Sequence, residues 1–317
     1  MPNIKYLVLL FSDRRGPPSE NFDPTGFGGF SHNLKGYLEP LPKIAALLNR
    51  KAVFTPPFIS LCRKHNFNRK LNKNNNWDTY LDVKNIKNLE SDPPFLFAEN
   101  GSLITNLSIK YYPQNVFLHK IDKDVDIAVL LNYNTTNKLK ICSWLGVYPK
   151  NETDKTILSK FPNKKYPISK ILQNYANKII ISLNLKDFVF LHIRRGDFLD
   201  RPSVGAPRGT RAITSPAFIS SFINKKQNKT IFIATNERNL NYKKNILSLL
   251  KGKNIIFEND IIKYLPEQIK NDNYAIYCIL HQIALNSQIN IGTTPEGSCE
   301  YVKLGEKYDY KLSEYNF

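Results

Sequence analysis

The sequence predicts an α/β protein whose strands form parallel sheets. Short and wholly apolar segments, such as the one ending at Phe11 and the segment Phe188–Leu191, are typical of strands buried on both faces. Segments with helical spacing of apolar residues alternate with these strands, as from Ile168 to Ile180, and this alternation favours βαβ units. Polar residues directly follow several strands, at the sheet edge where open α/β folds bind ligands.

The chain is long enough, at 317 residues, for two domains with separate cores. The stretch from Pro149 to Pro167 is polar and carries a third proline at position 162, a composition typical of a linker. We therefore place the domain boundary near residue 165. The N-terminal domain is expected over residues 1–165 and the C-terminal domain over residues 166–317.

The chain is strongly basic, with 45 Lys and Arg residues, 27 Asp and Glu residues and a net charge of +18. Such a balance can indicate a nucleic-acid partner. Lysine and asparagine are abundant along the whole chain, however, and the densest basic stretch, residues 63–73, is interpreted as a solvated loop or helix face. We therefore expect no nucleic-acid partner, and a nucleic-acid-binding protein is the alternative from a different functional class.

The pattern of apolar residues and cysteines predicts a cytoplasmic protein. No apolar run reaches the roughly 18 residues of a membrane span, so none is expected. The short apolar run near the N-terminus is followed at once by Asp13, Arg14 and Arg15, and no signal-peptide cleavage site follows. The spacing of the cysteines predicts neither a zinc site nor a disulfide framework, and they stand at positions 62, 142, 278 and 299.

A glycine-rich loop lies between the first predicted strand and the first predicted helix. The loop contains Gly26, Gly28 and Gly29, and a second strand, Ala52–Phe54, follows the helix, so that the whole segment is a βαβ unit. A loop that precedes a helix N-terminus can bind an anion. The loop lacks both the last glycine of the dinucleotide-binding pattern and the lysine of a phosphate-binding P-loop.

Three polar loops follow predicted strands in the second half, at residues 192–197, 235–238 and 292–298. Arg194 and Arg195 each offer a planar fork of donors that matches phosphate oxygens. Hydroxyl groups and backbone N–H groups in the last loop can hold a phosphate. Because parallel strands end at the same sheet edge, the three loops predict a pocket for a nucleoside diphosphate.

These stretches resemble the motifs of the protein O-fucosyltransferase superfamily. Its His-x-Arg-Arg-x-Asp motif matches His192–Asp197, and its strand that ends in Ala-Thr-Asp matches Ala234–Glu237. A third motif, after an apolar helix and a strand, matches Asn290–Ser298. The N-terminal loop Gly29–Asn33, and the helix after it that ends at Leu47–Arg50, are also similar to the family. The resemblance spans most of the chain in order.

The resemblance implies a GT-B-like fold, in which two Rossmann-like domains face a central cleft. The N-terminal domain would lie on the acceptor side, and the C-terminal domain would bind the nucleotide sugar. The implied activity is inverting transfer of fucose from GDP-fucose to a hydroxyl group of a protein or glycan acceptor, with no metal and no other cofactor. A glycosyltransferase that uses another GDP- or UDP-deoxyhexose is the closest alternative.

The resemblance also assigns roles to individual residues. Arg194 would bind the donor diphosphate and stabilise the leaving GDP, and Asn33 would lie near the reaction centre, so these two are the expected catalytic residues. Either Asn236 or Glu237 would face guanine, and Arg195 would brace the loop that carries Arg194. The full expected donor-binding set is Gly29, His32, Asn33, His192, Arg194, Arg195, Asp197, Asn236, Glu237, Thr293, Thr294, Gly297 and Ser298.

Two departures from the family pattern bear on donor choice and on the general base. Asn236 stands where the family often has aspartate, which leaves the choice of guanine open. The N-terminal loop lacks the glutamate that some relatives use as a base. His32, Asp23 and Glu39 are the candidates for that role.

Overall fold

A computed structural model describes residues 4–12, 16–24, 26, 30–67, 69–113, 116, 118–132, 152–161, 166–195, 199, 213–293 and 310–311. The chain divides into two compact units, Met1–Pro167 and Ile168–Phe317, called here the N-terminal and C-terminal units. Each unit contains a sheet of parallel strands, so the predicted α/β class is confirmed.

Over its described residues, the N-terminal unit combines six strands with short helices. The strands are β1 (Tyr6–Phe11), β2 (Lys51–Val53), β3 (Leu96–Phe97), β4 (Leu103–Ile104), β5 (Ile109–Pro113) and β6 (Ile127–Asn132). The α-helices are α1 (Phe30–Asn33), α2 (Leu41–Leu47), α3 (Pro57–Ser60) and α4 (Glu152–Ser159). A π-helix spans Leu34–Leu38, and 3-10 helices span Arg63–Asn66, Trp77–Thr79 and Leu118–Lys120.

The main sheet of this unit has four parallel strands in the order β2-β1-β6-β5. All six residues of β1 are buried, which explains why this segment is apolar without alternation. On one face, side chains of β1 and β6 such as Val8 and Val129 form a core with Phe95 and Val53. β3 and β4 form a separate antiparallel pair.

The polar composition of residues 62–95 predicts surface helices and a loop, and the structure corrects this prediction. Apart from residue 68, which lies outside the described residues, the stretch has only the two 3-10 helices and irregular backbone. Its apolar residues Trp77, Tyr80 and Leu81 are buried. Tyr80 packs edge-on against both Trp77 and Phe30, and Trp77 also packs against Phe30 with tilted rings. The stretch therefore supplies aromatic core rather than a solvated surface.

The predicted linker between Pro149 and Pro167 contains a helix. α4 occupies Glu152–Ser159 and packs against α2. Proline is confined to the flanks of α4, where it does not interrupt the helical hydrogen bonds. The sequence of residues 140–146 also predicts a regular element, and these residues lie outside the described part of the chain.

In its described residues, the C-terminal unit alternates strands with helices. The strands are β7 (Val189–Ile193), β8 (Thr230–Thr235), β9 (Asn254–Phe257), β10 (Ile289–Gly292) and β11 (Tyr310–Lys311). The α-helices are α5 (Lys170–Ser182), α6 (Pro216–Asn224), α7 (Leu240–Leu249), α8 (Glu267–Lys270) and α9 (Asn273–Leu285). A 3-10 helix, Glu258–Tyr264, follows β9.

The five strands of this unit are parallel and lie in the order β11-β10-β7-β8-β9. Counted from β7, this is the 3-2-1-4-5 order of a doubly wound sheet, and the direction of winding reverses between β7 and β10. The carboxyl ends of β7 and β10 therefore flank the topological switch point, where such sheets bind ligands.

Both faces of this sheet are buried. One face packs on α6 and α7, through apolar residues such as Leu191, Ile233, Ile219 and Ile246. On the other face, Phe190 stacks on Phe232 with ring centroids 5.4 Å apart. Among the described residues, no helix is long and apolar enough to span a bilayer.

Arg50, which belongs to the family-like stretch after α2, ties together the amino ends of the strands in the N-terminal unit. Its buried guanidinium donates hydrogen bonds to the carbonyl oxygens of Tyr6 (3.1 Å), Asp126 (3.1 Å) and Asp122 (2.6 Å). These carbonyls lie at the start of β1 and before β6, which is the edge opposite the ligand edge. Arg50 therefore acts on stability and not on ligand binding.

Replacing Arg50 with alanine is expected to destabilise the N-terminal unit by about 3 kcal/mol, because buried carbonyl groups lose their donors. Both tryptophans, Trp77 and Trp144, belong to this unit, so tryptophan fluorescence during urea unfolding reports on it selectively. Lys84→Ala removes an exposed cation and is the control. Equal urea midpoints for R50A and K84A would contradict this assignment.

Candidate functional site

The switch point of the C-terminal sheet is closed by a hydrogen-bonded bridge from β10 to β7. The backbone N–H of Arg194 donates to Oγ1 of Thr293 at 2.9 Å. The Thr293 hydroxyl in turn donates to the carbonyl oxygen of His192 at 3.2 Å, and the Thr293 N–H donates to the same oxygen at 3.1 Å. Thr293 is 1% exposed, so this bridge is shielded from water.

This bridge fixes the backbone at Arg194 while its side chain remains partly exposed. Arg194 is the first residue after β7. The Thr293 hydroxyl uses its hydrogen on the His192 carbonyl, so in this geometry Thr293 positions the arginine-bearing loop. The expected contact of Thr293 with the donor stays a prediction.

The guanidinium of Arg195 is held by protein groups. Its Nε donates to Oε2 of Glu237 at 2.8 Å, and its Nη1 donates to the carbonyl oxygen and to Oγ1 of Thr214 at 3.3 and 3.0 Å. The guanidinium lies over the Tyr242 ring, 4.4 Å from its centroid. The phenol of Tyr242 donates to the Thr214 carbonyl, and burial raises its pKa, which keeps the phenol neutral. These contacts hold the Arg195 side chain in place, so Arg195 braces the loop that carries Arg194.

The polar residues after β8 form a scaffold around Arg195. Oδ1 of Asn236 accepts from the backbone N–H of Arg195 at 2.8 Å. Both carboxylate oxygens of Glu237 are engaged, Oε2 by Arg195 and Oε1 by the N–H of Asn239 at 2.9 Å. The N–H of Glu237 donates to Oγ1 of Thr235 at 3.1 Å. A nucleobase facing Glu237 would have to compete with these bonds.

His192 is buried between two small neighbours. In the strand register it lies between Gly292 of β10 and Ala234 of β8, and it is 3% exposed. Its neighbours Leu191 and Ile193 belong to the core against α6 and α7, so the alternation of side chains along a strand places His192 on the opposite face. Its role in donor binding stays a prediction.

Glu258 is a further acidic residue at this sheet edge, in addition to those predicted from the sequence. It directly follows β9, and its Oε2 accepts the backbone N–H of Thr235, at the end of β8, at 3.1 Å. The side chain is largely buried. Burial raises the pKa of the Glu258 carboxyl to about 7, although the Thr235 N–H and the charge of Lys243 act to lower it. The sequence signal is an acidic residue directly after a strand, here β9, and polar residues directly after strands also marked the other three loops.

The remaining predicted site residues fall in two groups. His32 and Asn33 lie in α1, and the Asn33 side chain is fully buried. The predicted residues after β7, β8 and β10 lie together at one sheet edge, and Glu258 lies at the same edge. The other predicted residues lie outside the described part of the chain, and they are Gly29, Asp197, Thr294, Gly297 and Ser298.

Two of the candidate bases can be compared by their surroundings. Asp23 forms ion pairs with Arg63 and Lys70. Burial acts to raise the pKa of Asp23, but hydrogen bonds and charge from Lys70 and Arg63 together lower it below its usual value. A lowered pKa makes a carboxylate a weaker base. Glu39 is half-buried after the π-helix, so it stays a candidate together with His32.

The basic stretch of the N-terminal unit is more ordered than a solvated loop. Arg63–Asn66 form a 3-10 helix, and Lys73 pairs with Glu99. A shallow cavity lies here, beside the segment that follows β2, and its charged and apolar lining is Asp23, Pro24, Phe58, Leu61, Arg63, Arg69, Lys70, Leu71, Lys73 and Glu99. In the described part of the chain, no three His, Cys, Asp or Glu side chains are grouped as metal ligands.

The chain matches no protein-family model and no curated protein. Among solved structures, it is similar to crystal structures of POFUT1 in complex with GDP, in its apo form, and in complex with GDP-fucose. The identities are 12%, 13% and 13%, and the TM-scores are 0.48, 0.45 and 0.46. The matches cover 92% of this chain and 92%, 92% and 91% of the other chains. At such low identities and TM-scores, the function has to be judged from the residues of the site.

The raised pKa of Glu258 predicts a pH-dependent stability. The folded state holds the proton more tightly than the unfolded state, whose pKa is about 4.5. The resulting stabilisation is complete below pH 4.5 and is lost as the pH rises through about 7. Each pKa unit corresponds to about 1.4 kcal/mol.

The measurement is the free energy of unfolding of wild type and of Glu258→Gln at several values of pH. The difference between the two proteins should change between pH 4.5 and 8 in the direction that makes E258Q relatively more stable at high pH. Glu267→Gln, which removes a carboxylate from the exposed side chain at the start of α8, should track the wild type. A pH-independent difference between E258Q and wild type would rule out the shifted carboxyl.

Proposed function

We propose that the protein is an inverting, metal-independent glycosyltransferase of the GT-B type, which moves fucose from GDP-fucose to a hydroxyl group of a protein or glycan. The C-terminal unit binds the donor in this proposal, and the N-terminal unit receives the acceptor. The sugar and the inversion come from the motif resemblance. The assignment of the donor side rests on the arrangement of residues at the second sheet.

The observation that carries the proposal is the position of Arg194. It follows the first strand of a doubly wound sheet, and its backbone is held at the switch point by Thr293. Ligands of such sheets lie outside the carboxyl ends of the strands at this point. A guanidinium placed there matches the geometry of a diphosphate.

Arg194 would act on the leaving group. When the bond between fucose and the β-phosphate breaks, negative charge develops on the departing GDP. A guanidinium that is already in position stabilises this charge in the transition state without reorganising. Arg195 supports this role indirectly, because its contacts with Glu237, Thr214 and Tyr242 hold the start of the loop.

The acceptor hydroxyl must lose a proton as it attacks the sugar. His32, Asp23 and Glu39 remain the candidates for the base, and the lowered pKa of Asp23 counts against Asp23 in this role. Asn33 would stand near the reacting atoms in the N-terminal unit.

The experiment that tests the function measures release of GDP or UDP from GDP-fucose, GDP-mannose and UDP-sugars, with and without candidate acceptors. The proposal expects release from GDP-fucose that increases with a suitable protein or glycan. Release from another GDP- or UDP-deoxyhexose alone would favour the alternative donor. If no nucleotide sugar is turned over and the protein instead binds DNA or RNA with steep salt dependence, the proposal fails.

Replacing Arg194 with alanine is expected to lower the transfer rate by about 10² to 10³, the cost of losing one donor that stabilises developing negative charge. The variant should remain folded, because the bridge to Thr293 uses the backbone of residue 194 and not its side chain. GDP release and circular dichroism provide the two readouts. Lys244→Ala removes an exposed cation from α7 and is the control. Near-full activity of R194A would eliminate the assignment.

A further inference from the structure

Glu258 stands at the same sheet edge as the proposed diphosphate site. It follows β9, which is separated from β7 only by β8. Neighbouring strands are about 4.8 Å apart, so the ends of β7 and β9 are separated by roughly 10 Å. The bond from the Thr235 N–H to Glu258 draws the carboxyl toward the end of β8. The ribose and base of a nucleotide extend over such a span when its phosphates lie at the switch point.

Glu258 has more acceptor capacity left than Glu237, the acidic residue that follows β8. Both oxygens of Glu237 are engaged, and Oδ1 of Asn236 accepts from Arg195. The Glu258 carboxyl accepts one hydrogen bond, from Thr235, and a carboxylate has about four acceptor positions. Its second oxygen is available to a ligand.

The surroundings of Glu258 determine which ligand groups it can take. Above about pH 7, where the Glu258 carboxyl is ionised, its charge would repel a phosphate, so this end of the sheet does not suit the diphosphate. N–H and O–H donors are suited to it, and hydrogen bonds to a largely desolvated acceptor are stronger than those in water. Lys243 is the cation near the carboxyl, and its ammonium lies over the Phe257 ring, 5.4 Å from the centroid.

We propose that Glu258 is a specificity-determining residue of the nucleotide site, and that it accepts hydrogen bonds from paired donors on the nucleoside. This inference rests on the proposed function, because it presumes a nucleotide at the switch point. Two groups on a guanine nucleotide carry such donor pairs. They are the N1–H and 2-amino edge of the base and the two hydroxyls of the ribose.

The test compares the binding of GDP, IDP and 2′-deoxy-GDP to the wild type and to Glu258→Gln by isothermal titration calorimetry. Glutamine keeps the size of the side chain and an oxygen that can accept the Thr235 N–H, so the fold is preserved. Hydrogen bonds to charged groups make an about 10- to 100-fold loss of GDP affinity the expected result. Glu267→Gln is the charge-matched control and should bind GDP as the wild type does.

The analogues identify the donor pair. If the base is read, the wild type prefers GDP over IDP and E258Q loses that preference. If the ribose is read, the wild type prefers GDP over 2′-deoxy-GDP and E258Q loses that preference instead. If the wild type binds GDP and E258Q binds it with the same affinity and selectivity, the role of Glu258 is overturned. The proposed function would still stand in that case. Absence of GDP binding to the wild type would overturn both.

Discussion

The Thr293 hydroxyl is the contact on which the proposed site depends. It accepts from the N–H of Arg194 and donates to the carbonyl of His192, so one buried side chain joins β10 to β7 where the winding of the sheet reverses. Switch points leave a crevice between two strand ends, and a ligand there meets whatever the first residues after the strands present. In this chain the bridge holds the backbone beneath Arg194, and a fixed donor stabilises charge better than one that must reorganise.

The two adjacent arginines have different roles. The Arg195 guanidinium is bound by Glu237 and Thr214 and lies over Tyr242, whereas Arg194 is fixed through its backbone. The brace depends on an ion pair between Arg195 and Glu237. A buried ion pair stabilises a protein little by itself, but it can specify one loop conformation. The same network engages both carboxylate oxygens of Glu237. For that reason we propose that Glu258, and not Glu237, recognises the nucleoside. Arg50 plays the corresponding structural part in the N-terminal unit, at the opposite edge of its sheet.

The sequence was informative wherever burial alone determines structure. The apolar segments of β1, β7 and β8 and the helix α9 were predictable because they are buried on several sides. The half-exposed edge strand β5 and the two-residue strand β4 lack such a pattern, and the polar stretch around Trp77 conceals core residues within it. The strand-end rule identified Arg194 and Arg195. It could not distinguish their roles, since these depend on contacts with Thr214 and Tyr242 that are remote in sequence.

A crystal structure of the protein with GDP would test the central claim most directly. Our interpretation predicts the diphosphate at the carboxyl ends of β7 and β10, with its β-phosphate within hydrogen-bond distance of the Arg194 guanidinium and with the Arg195 contacts unchanged. GDP bound elsewhere on the chain, or a diphosphate held by Arg195 after it releases Glu237, would contradict it.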